Sequence, residues 1–331
     1  MTTLPPCPDA CSLCNSPRLV LHRWFDVREL EQDWKTGLGF NPFEKLDAGE
    51  TLYQYRCLDC DLRFYSPAIC GDGKFYEELS GRFAWYYEKD KWEFDTAIDL
   101  LGDLPGVVDV LEVGCGQGHF LKRIRHAFNA EGVELNQGAV AECRQQGLNV
   151  SGVALGELDK EFDMVVAFEV LEHVDVPSTF MLQAIEKLRP GGYLMIAVPD
   201  PDGYFSETEK VLLDMPPHHV LSFSKRTLEK MAEVLNLTHI VTKQEPLRFA
   251  HYRSYASNFI SAKRIESAHE TFVQKLIRKT IGRPLHALTR AVDRRLDNLD
   301  DRLAELALAV TYQSAKDKML GQTHLALYRK F

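Results

Sequence analysis

No stretch of this 331-residue chain approaches the roughly 20 consecutive apolar residues that a bilayer-spanning helix needs. Its first ten residues, MTTLPPCPDA, lack the basic and apolar regions of a secretory signal, so a cytoplasmic location is expected. Basic charge is in deficit as well. With 39 Lys and Arg against 48 Asp and Glu, the net charge is -9, which disfavours nucleic acid as a partner of the whole chain. In a reducing compartment the eight cysteines are not expected to form a disulfide framework, and their spacing is to be read for metal ligation instead.

Two cysteine pairs have a suitable spacing. Cys11 and Cys14 form one CxxC in CSLC, and Cys57 and Cys60 form a second in CLDC, entered by the alternating, strand-like LYQYRC. Four thiolates in two such knuckles give tetrahedral ligation of a structural zinc, and a four-thiolate site leaves no open position for water. The knuckles stand farther apart than in an ordinary ribbon, so Val27 to Gly49 reads as an inserted excursion with a short helix at Arg28 to Lys35. Cys7 and Cys70 are spare ligand candidates. Four reduced cysteines without a metal are the plainer alternative.

The rest of the chain is arranged around Asp109 to Phe120, DVLEVGCGQGHF, an apolar strand running into a glycine-rich turn and then a helix. Gly114, Gly116 and Gly118 take alternate positions, so backbone can fold tightly beneath a ligand while the helix start offers unpaired N–H groups. The spacing is GxGxG, not the GxGxxG of nicotinamide enzymes. Glu112, two residues before the first glycine, would repel a pyrophosphate but suits a cofactor that carries an ammonium group. Glu134 ends the short strand EGVEL with Leu135 beside it, and is placed to accept hydrogen bonds from two ribose hydroxyls. Elements alternate onward as in a doubly wound sheet. Helices are expected over 118–128, 138–146 and 177–187, a third strand near NVSGV, and a fourth in FDMVVAFEVLEHV that ends at Glu169, Glu172 and His173. The Pro190-Gly191-Gly192 turn leads into a fifth.

Ligands of open α/β sheets bind beyond the carboxyl ends of the strands, so Glu169 to His173 and Pro199 to Tyr204 are expected at the reaction centre. Ser224 reads as the N-cap of a helix from Lys225, which leaves His218 and His219 in the preceding loop. With His173 they are the general-base candidates, since imidazole is poised near neutrality. Upstream, 71–101 reads as helical, with Phe83, Tyr86, Tyr87, Phe94, Ile98 and Leu101 on one connected face. Downstream, the strand THIVTKQEP is separated from a final strand QTHLALYRKF by a departure from the pattern. There Leu285, Val292, Leu299 and Leu306 recur at heptad intervals. A helical hairpin over 265–310 is expected, broken at Gly282-Arg283-Pro284 and basic in its first part. Its charged face suits solvent or peripheral contact with an anionic membrane, and its apolar stripe suits a homodimer.

The glycine turn with Glu112 resembles motif I of the class I S-adenosylmethionine-dependent methyltransferases. EVLEHV resembles the fourth-strand ending of methyltransferases that act on quinones, small metabolites and sugars, and the NPPY-type motif of enzymes methylating exocyclic amines is absent. With its knuckles, the chain is similar to bacterial methyltransferases with an N-terminal zinc-binding region, a group that includes sugar C-methyltransferases. The resemblance covers roughly Phe75 to Glu245 and the final ten residues. It implies an α/β, Rossmann-like sheet of seven strands with the last antiparallel. The domains would be a zinc-ribbon-like region at 1–70, a methyltransferase domain at 71–256 completed by 321–331, and a helical insertion at 257–320. It further implies S-adenosylmethionine, seated by Glu112, Gly114, Gly116, Gly118, Glu134, Leu135 and Glu169, with Tyr87 and its neighbours Tyr86 and Lys91 meeting the methionine end. The implied activity is methyl transfer to oxygen or carbon of a small-molecule, sugar or glycan-linked acceptor. Sugar C-methyltransferases of this group carry another large C-terminal domain where this chain has only an insertion, so a glycan acceptor is an analogy. Two rivals remain at this point: a zinc-ribbon protein directed to RNA whose methyltransferase-like domain only recognises a partner, and a nicotinamide-dependent oxidoreductase.

Overall fold

The computed structural model describes residues 7–44, 46–83, 86–203, 211–249, 251–252, 309–310, 312–313, 316–317 and 320–331. The alternating segment before the second cysteine pair forms a strand, as its period suggests, and it pairs on both sides. Strand β1 (Leu19–Asp26) leads into helix α1 (Val27–Leu38), and β1 then lies antiparallel to β2 (Thr51–Cys57), itself antiparallel to β3 (Arg63–Ser66). Asp26 starts α1 by accepting hydrogen bonds from the Arg28 and Glu29 N–H groups, and Gly39, left-handed at φ 77°, ends it. The helix buries Val27, Leu30 and Trp34, and Trp34 meets Phe40 and Phe75 edge-on at ring separations of 5.5 and 5.9 Å.

The single helical stretch expected over 71–101 is two helices, α2 (Gly73–Arg82) and α3 (Trp92–Asp103). The reason lies in the connection. Neighbouring Tyr86 and Tyr87 both turn inward, one to His218 and the other to Gly116, and consecutive positions of a helix do not share a face.

The main sheet follows the alternation of the sequence. In chain order come β4 (Asp109–Val113), α4 (His119–Ile124), β5 (Asn129–Val133), α5 (Gln137–Gln145), β6 (Asn149–Ser151), β7 (Phe162–Phe168), α6 (Pro177–Glu186) and β8 (Leu188–Pro199). After these come β9 (Leu221–Ser222), α7 (Lys225–Val234), β10 (Leu237–Pro246) and β11 (Leu320–Lys330). The strand order β10-β11-β8-β7-β4-β5-β6 is seven strands wide, parallel from β8 to β6, with β11 antiparallel to β8. This is the Rossmann-like sheet that the resemblance implies. Met164, Val165 and Val166 of β7 and Leu194 to Val198 of β8 are fully buried, as expected of central strands covered on both faces. Pro190-Gly191-Gly192 lies inside β8, and the β7/β8 register shifts between Phe162 and Met164.

One pairing has no counterpart in the sequence pattern. The two-residue strand β9 adds to the N-terminal sheet, with Arg63 opposite Ser222 and Phe64 opposite Leu221, giving the order β1-β2-β3-β9. Ser224 caps α7 as expected, its hydroxyl accepting from the Thr227 N–H at 3.2 Å. Met1–Asp202, Ser206–Glu245 and Thr323–Phe331 make up one compact unit, and Gly203–Phe205 with Pro246–Gln322 make up a second. In the second, the Tyr312 hydroxyl donates to the Leu247 carbonyl at 2.8 Å, and its ring packs on Phe249. Apart from Ala309, Val310 and the few other positions given above, the expected insertion and its hairpin lie outside the described residues, as does Tyr204. No helix among the described residues is long and apolar enough to cross a membrane.

Candidate active site and cysteine knuckles

Both cysteine pairs close into turns of the same form. The Asn15 N–H donates to the Cys11 carbonyl and the Asp61 N–H to the Cys57 carbonyl, each at 2.9 Å, with Asn15 and Asp61 left-handed at φ 58° and 71°. The turns bring Cys11 Sγ to 3.6 Å from Cys60 Sγ and Cys14 Sγ to 3.6 Å from Cys57 Sγ, and all four sulfurs lie within 4.8 Å of one another. A tetrahedral zinc with sulfurs at about 2.3 Å sets them about 3.8 Å apart, so the four residues fit that ion. Cys7 and Cys70 stand outside the cluster. Asp61, which follows the second knuckle, accepts from Arg56 Nε at 2.6 Å and from Ser224 Oγ at 2.5 Å. Burial works against its charge, but these two hydrogen bonds hold the carboxyl below its ordinary range. The second knuckle is thereby tied to the start of α7.

At the end of β4 the three glycines are all left-handed, with φ of 70°, 49° and 68° at Gly114, Gly116 and Gly118. A Cβ on Gly116 would stand 2.8 Å from the Tyr87 ring, and one on Gly118 would collide with Leu148, so neither position accepts a side chain as packed. Glu134 follows β5 directly. Its carboxylate accepts from the Gly116 N–H at 2.8 Å and the Asn136 N–H at 2.7 Å, which fixes it against the turn with lone pairs to spare. Tyr87 accepts from Asn136 Nδ2 at 3.4 Å while its ring covers Gly116. Leu135 is 67% exposed beside them. Glu157, after β6, is exposed and its carboxylate accepts from the Ala154 N–H at 3.3 Å.

Beyond the strand ends the charges are poorly balanced. Glu112 is 3% exposed and its Oε2 has no hydrogen-bond partner. Glu169 adopts φ 55°, unusual for a side-chain-bearing residue, and its buried Oε1 is likewise unpartnered. Glu172 is 1% exposed with neither carboxylate oxygen hydrogen-bonded. Burial pushes Glu112 and Glu169 well above the ordinary carboxylate range, with Glu172 and Glu93 adding to the effect on Glu169, and burial raises Glu172 to about 7. Lys91, on the loop before α3, is the cation among them, its Nζ 3.6 Å from Glu93 Oε1. Burial opposes its charge, yet Glu93, Glu169 and Glu172 hold the ammonium above its ordinary value.

The three histidines named as base candidates come together although β8 separates them in sequence. Ring centroids of His173 lie 4.6 and 4.8 Å from those of His218 and His219, and the latter two stack at 4.4 Å. His173 Nδ1 donates to the His218 carbonyl at 2.6 Å, and His218 is held at both nitrogens, by the Leu213 carbonyl at 2.7 Å and the Tyr86 hydroxyl at 3.1 Å. Burial, followed by the neighbouring His219, lowers His173 to about 3 and His218 well below its ordinary value. Both are neutral imidazoles near pH 7. Sequence reasoning missed Tyr76, whose buried ring meets His173 edge-on at 5.5 Å, and Asp214, 3.1 Å from His219 Nδ1. Neither stands in a motif, so nothing in the sequence pattern marks them.

A glycine turn closing the first parallel strand, with acids at the strand ends beyond it, defines a nucleotide-cofactor site of the doubly wound α/β class. Within that class the chain belongs to the methyltransferase domain family, which matches residues 70–242. It is 24% identical to the mitochondrial ubiquinone biosynthesis O-methyltransferase of Saccharomyces cerevisiae over 169 residues, 47% of this chain and 54% of that one. It is 33% identical to the phthiotriol/phenolphthiotriol dimycocerosates methyltransferase 1 of Mycobacterium ulcerans over 117 residues, 32% of this chain and 43% of the relative. Among solved structures, a SAM-dependent methyltransferase from Archaeoglobus fulgidus aligns with 17% identity and a TM-score of 0.42, over 72% of this chain and 92% of that one. The chain spans about half the length of the curated relatives it matches. S-adenosylmethionine carries an α-ammonium and a sulfonium, and the acids Glu112 and Glu169, each with one buried unpartnered oxygen beside a turn of bare backbone, fit such a group.

Proposed function

We propose that this protein transfers a methyl group from S-adenosylmethionine to an oxygen or carbon of a small-molecule acceptor, and that Cys11, Cys14, Cys57 and Cys60 hold a structural zinc. The observation that carries the reading is the set of buried carboxyl groups with unpartnered oxygens at the strand ends, which a cationic cofactor would complement. When bound, the cofactor supplies an already activated methyl group. The chain's own contribution is placement: Gly114, Gly116 and Gly118 present backbone, Glu134 and Leu135 take the nucleoside end, and Glu112, Glu169 and Tyr87 take the amino-acid end. His173, His218 and His219 lie together on the acceptor side as the candidate groups to receive a proton from an acceptor hydroxyl. The ubiquinone relative is named as an O-methyltransferase, which favours oxygen over carbon. A nicotinamide cofactor is disfavoured, because its pyrophosphate would approach the unpartnered Glu112.

Calorimetric titration tests the cofactor directly. S-adenosylmethionine is expected to bind more tightly than NAD, and Glu134→Ala to weaken it by about 1–3 kcal/mol, the scale of lost charged hydrogen bonds. Tighter NAD binding, or an affinity indifferent to Glu134, would overturn the assignment. Labelled cofactor incubated with hydroxylated aromatic and sugar acceptors then identifies the acceptor.

A further inference from the structure

The acceptor side of the site sets two imidazole nitrogens against a buried carboxyl that makes no hydrogen bond. Glu172 Oε1 lies 3.8 Å from His173 Nε2 and 3.8 Å from His219 Nε2, too far for a hydrogen bond to either. Each imidazole has its other nitrogen committed. His173 Nδ1 is bonded to the His218 carbonyl at 2.6 Å, and His219 Nδ1 to Asp214 Oδ1 at 3.1 Å. A carbonyl and a carboxylate only accept, so both Nδ1 atoms carry a proton, and the neutral form of each ring presents a lone pair at Nε2. Both Nε2 atoms thus stand 3.8 Å from one oxygen of a carboxyl that is 1% exposed and has no hydrogen bond at either oxygen. A buried carboxyl left without a hydrogen bond between two imidazole nitrogens is a costly arrangement, relieved by a proton shared among the three groups or by a bound metal ion.

We propose that His173 Nε2, His219 Nε2 and Glu172 form a second metal site, for a divalent first-row transition ion. The chemistry of the set is that of two histidines and one carboxylate, which suits zinc, iron(II) or manganese(II) with positions left open. Donors about 2.1 Å from a tetrahedral ion stand about 3.4 Å apart, so the two 3.8 Å separations need to close only slightly. Outer support is built in: Asp214 on His219 and the His218 carbonyl on His173 are the partners that orient metal-binding imidazoles and fix their tautomer. His218 is a positioning residue and not a ligand, since Tyr86 and Leu213 occupy its two nitrogens. The side chains of His173 and His219 keep 17% and 10% exposure, an approach from one side for an ion and for an acceptor oxygen on its open positions. That last role rests on the methyl-transfer reading and replaces the proton-accepting role of His173 and His219, whose Nε2 atoms are then ligands, whereas the ion site itself does not rest on it.

The two metal sites differ in chemistry, and this separates them experimentally. Zinc-saturated, desalted protein should contain two zinc ions per chain by elemental analysis, falling to one in His219→Ala. Manganese(II), which disfavours a four-thiolate site, should bind one per chain when the free ion is followed by electron paramagnetic resonance. Asp214→Asn should weaken that binding about 10–100-fold with an unchanged circular dichroism spectrum, which keeps the test valid if His219→Ala fails to fold. One zinc per chain in the parent, or manganese binding indifferent to Asp214, overturns the proposal. Because neither measurement uses cofactor or acceptor, a protein that binds S-adenosylmethionine but no second ion removes this site alone. Ion binding without S-adenosylmethionine binding would remove the methyltransferase reading alone.

Discussion

The two ends of the parallel strands treat acidic side chains in opposite ways. At the amino ends, Arg189 reaches Asp109 at 2.7 Å and Asp163 at 2.6 Å. Hydrogen bonds from Asn129 and Arg189 hold Asp109 below its ordinary range, and Asp163 is held down against its burial by the Asp109 and Val108 N–H groups and by Arg189. At the carboxyl ends, Glu112, Glu169 and Glu172 are buried, incompletely partnered and pushed up. The residue types are nearly the same, and the supply of donors differs. An end whose charges are satisfied internally holds the strands together, while an end whose buried charges stay open stores an interaction for a ligand.

Four experiments would break or sharpen that contrast. The largest effect is expected from the knuckles, which brace the open end through Asp61 and Ser224. Cys57→Ser should forfeit zinc binding, on the order of 10 kcal/mol in small zinc modules. Denaturant titration should show the N-terminal sheet melting early, with acceptor turnover failing before cofactor affinity does. A folded, metal-free variant with full turnover would make the cysteine pairs coincidental.

Next is Glu112→Gln, which keeps the shape and removes the charge. It should weaken S-adenosylmethionine by about 1.5–3 kcal/mol while leaving Tm of the ligand-free protein unchanged or higher, since a buried charge has gone. If Tm drops and affinity stays, Glu112 belongs to the fold and the contrast between the ends is lost.

His173 gives a pH signature. Its folded value of about 3 lies below the ordinary 6.5, so the stability it contributes is present above pH 6.5 and is lost as pH falls toward 3. By pH 5 the His173 contribution to the loss should reach about 2 kcal/mol relative to pH 7, and His173→Gln should lose less than the parent by about that amount, with His218 supplying the remainder. Parallel stability curves for the two proteins would refute the burial of a neutral imidazole. The smallest effect should come from Arg189→Met, a modest fall in Tm with cofactor affinity unchanged. Weaker cofactor binding in that variant would mean that the two ends are not independent.

Much of the frame can be read from local pattern. The run DVLEVGCGQGHF gives β4, the turn and α4, Ser224 caps α7, and QTHLALYRKF falls in the antiparallel β11. Position along a strand also puts Glu169 and His173 at the carboxyl end of β7. Features set by partners far away in the chain are not visible in this way. The pairing of Phe64 with Leu221 leaves no mark in either segment, because a two-residue strand has no periodicity. The break between α2 and α3 follows from what Tyr86 and Tyr87 touch, not from their helix propensity. Glu172 sits in a recognisable motif, but its lack of hydrogen-bond partners appears only when His173 and His219 are placed around it.

The position of β11 also bears on the order of assembly. As the chain leaves the ribosome, β8 and β10 emerge long before the strand that must lie between them. Until it arrives, β8, fully buried from Leu194 to Val198, is unpaired along one edge, and such edges recruit other chains. The N-terminal sheet waits too, since β3 is made well ahead of its partner β9. Closing such distant contacts slows folding, so both sheets depend on late-made segments for completion. A nascent chain halted before Leu320–Lys330 would therefore hold every residue assigned here to cofactor, acceptor and metal, and would still be a substrate for chaperones instead of an enzyme.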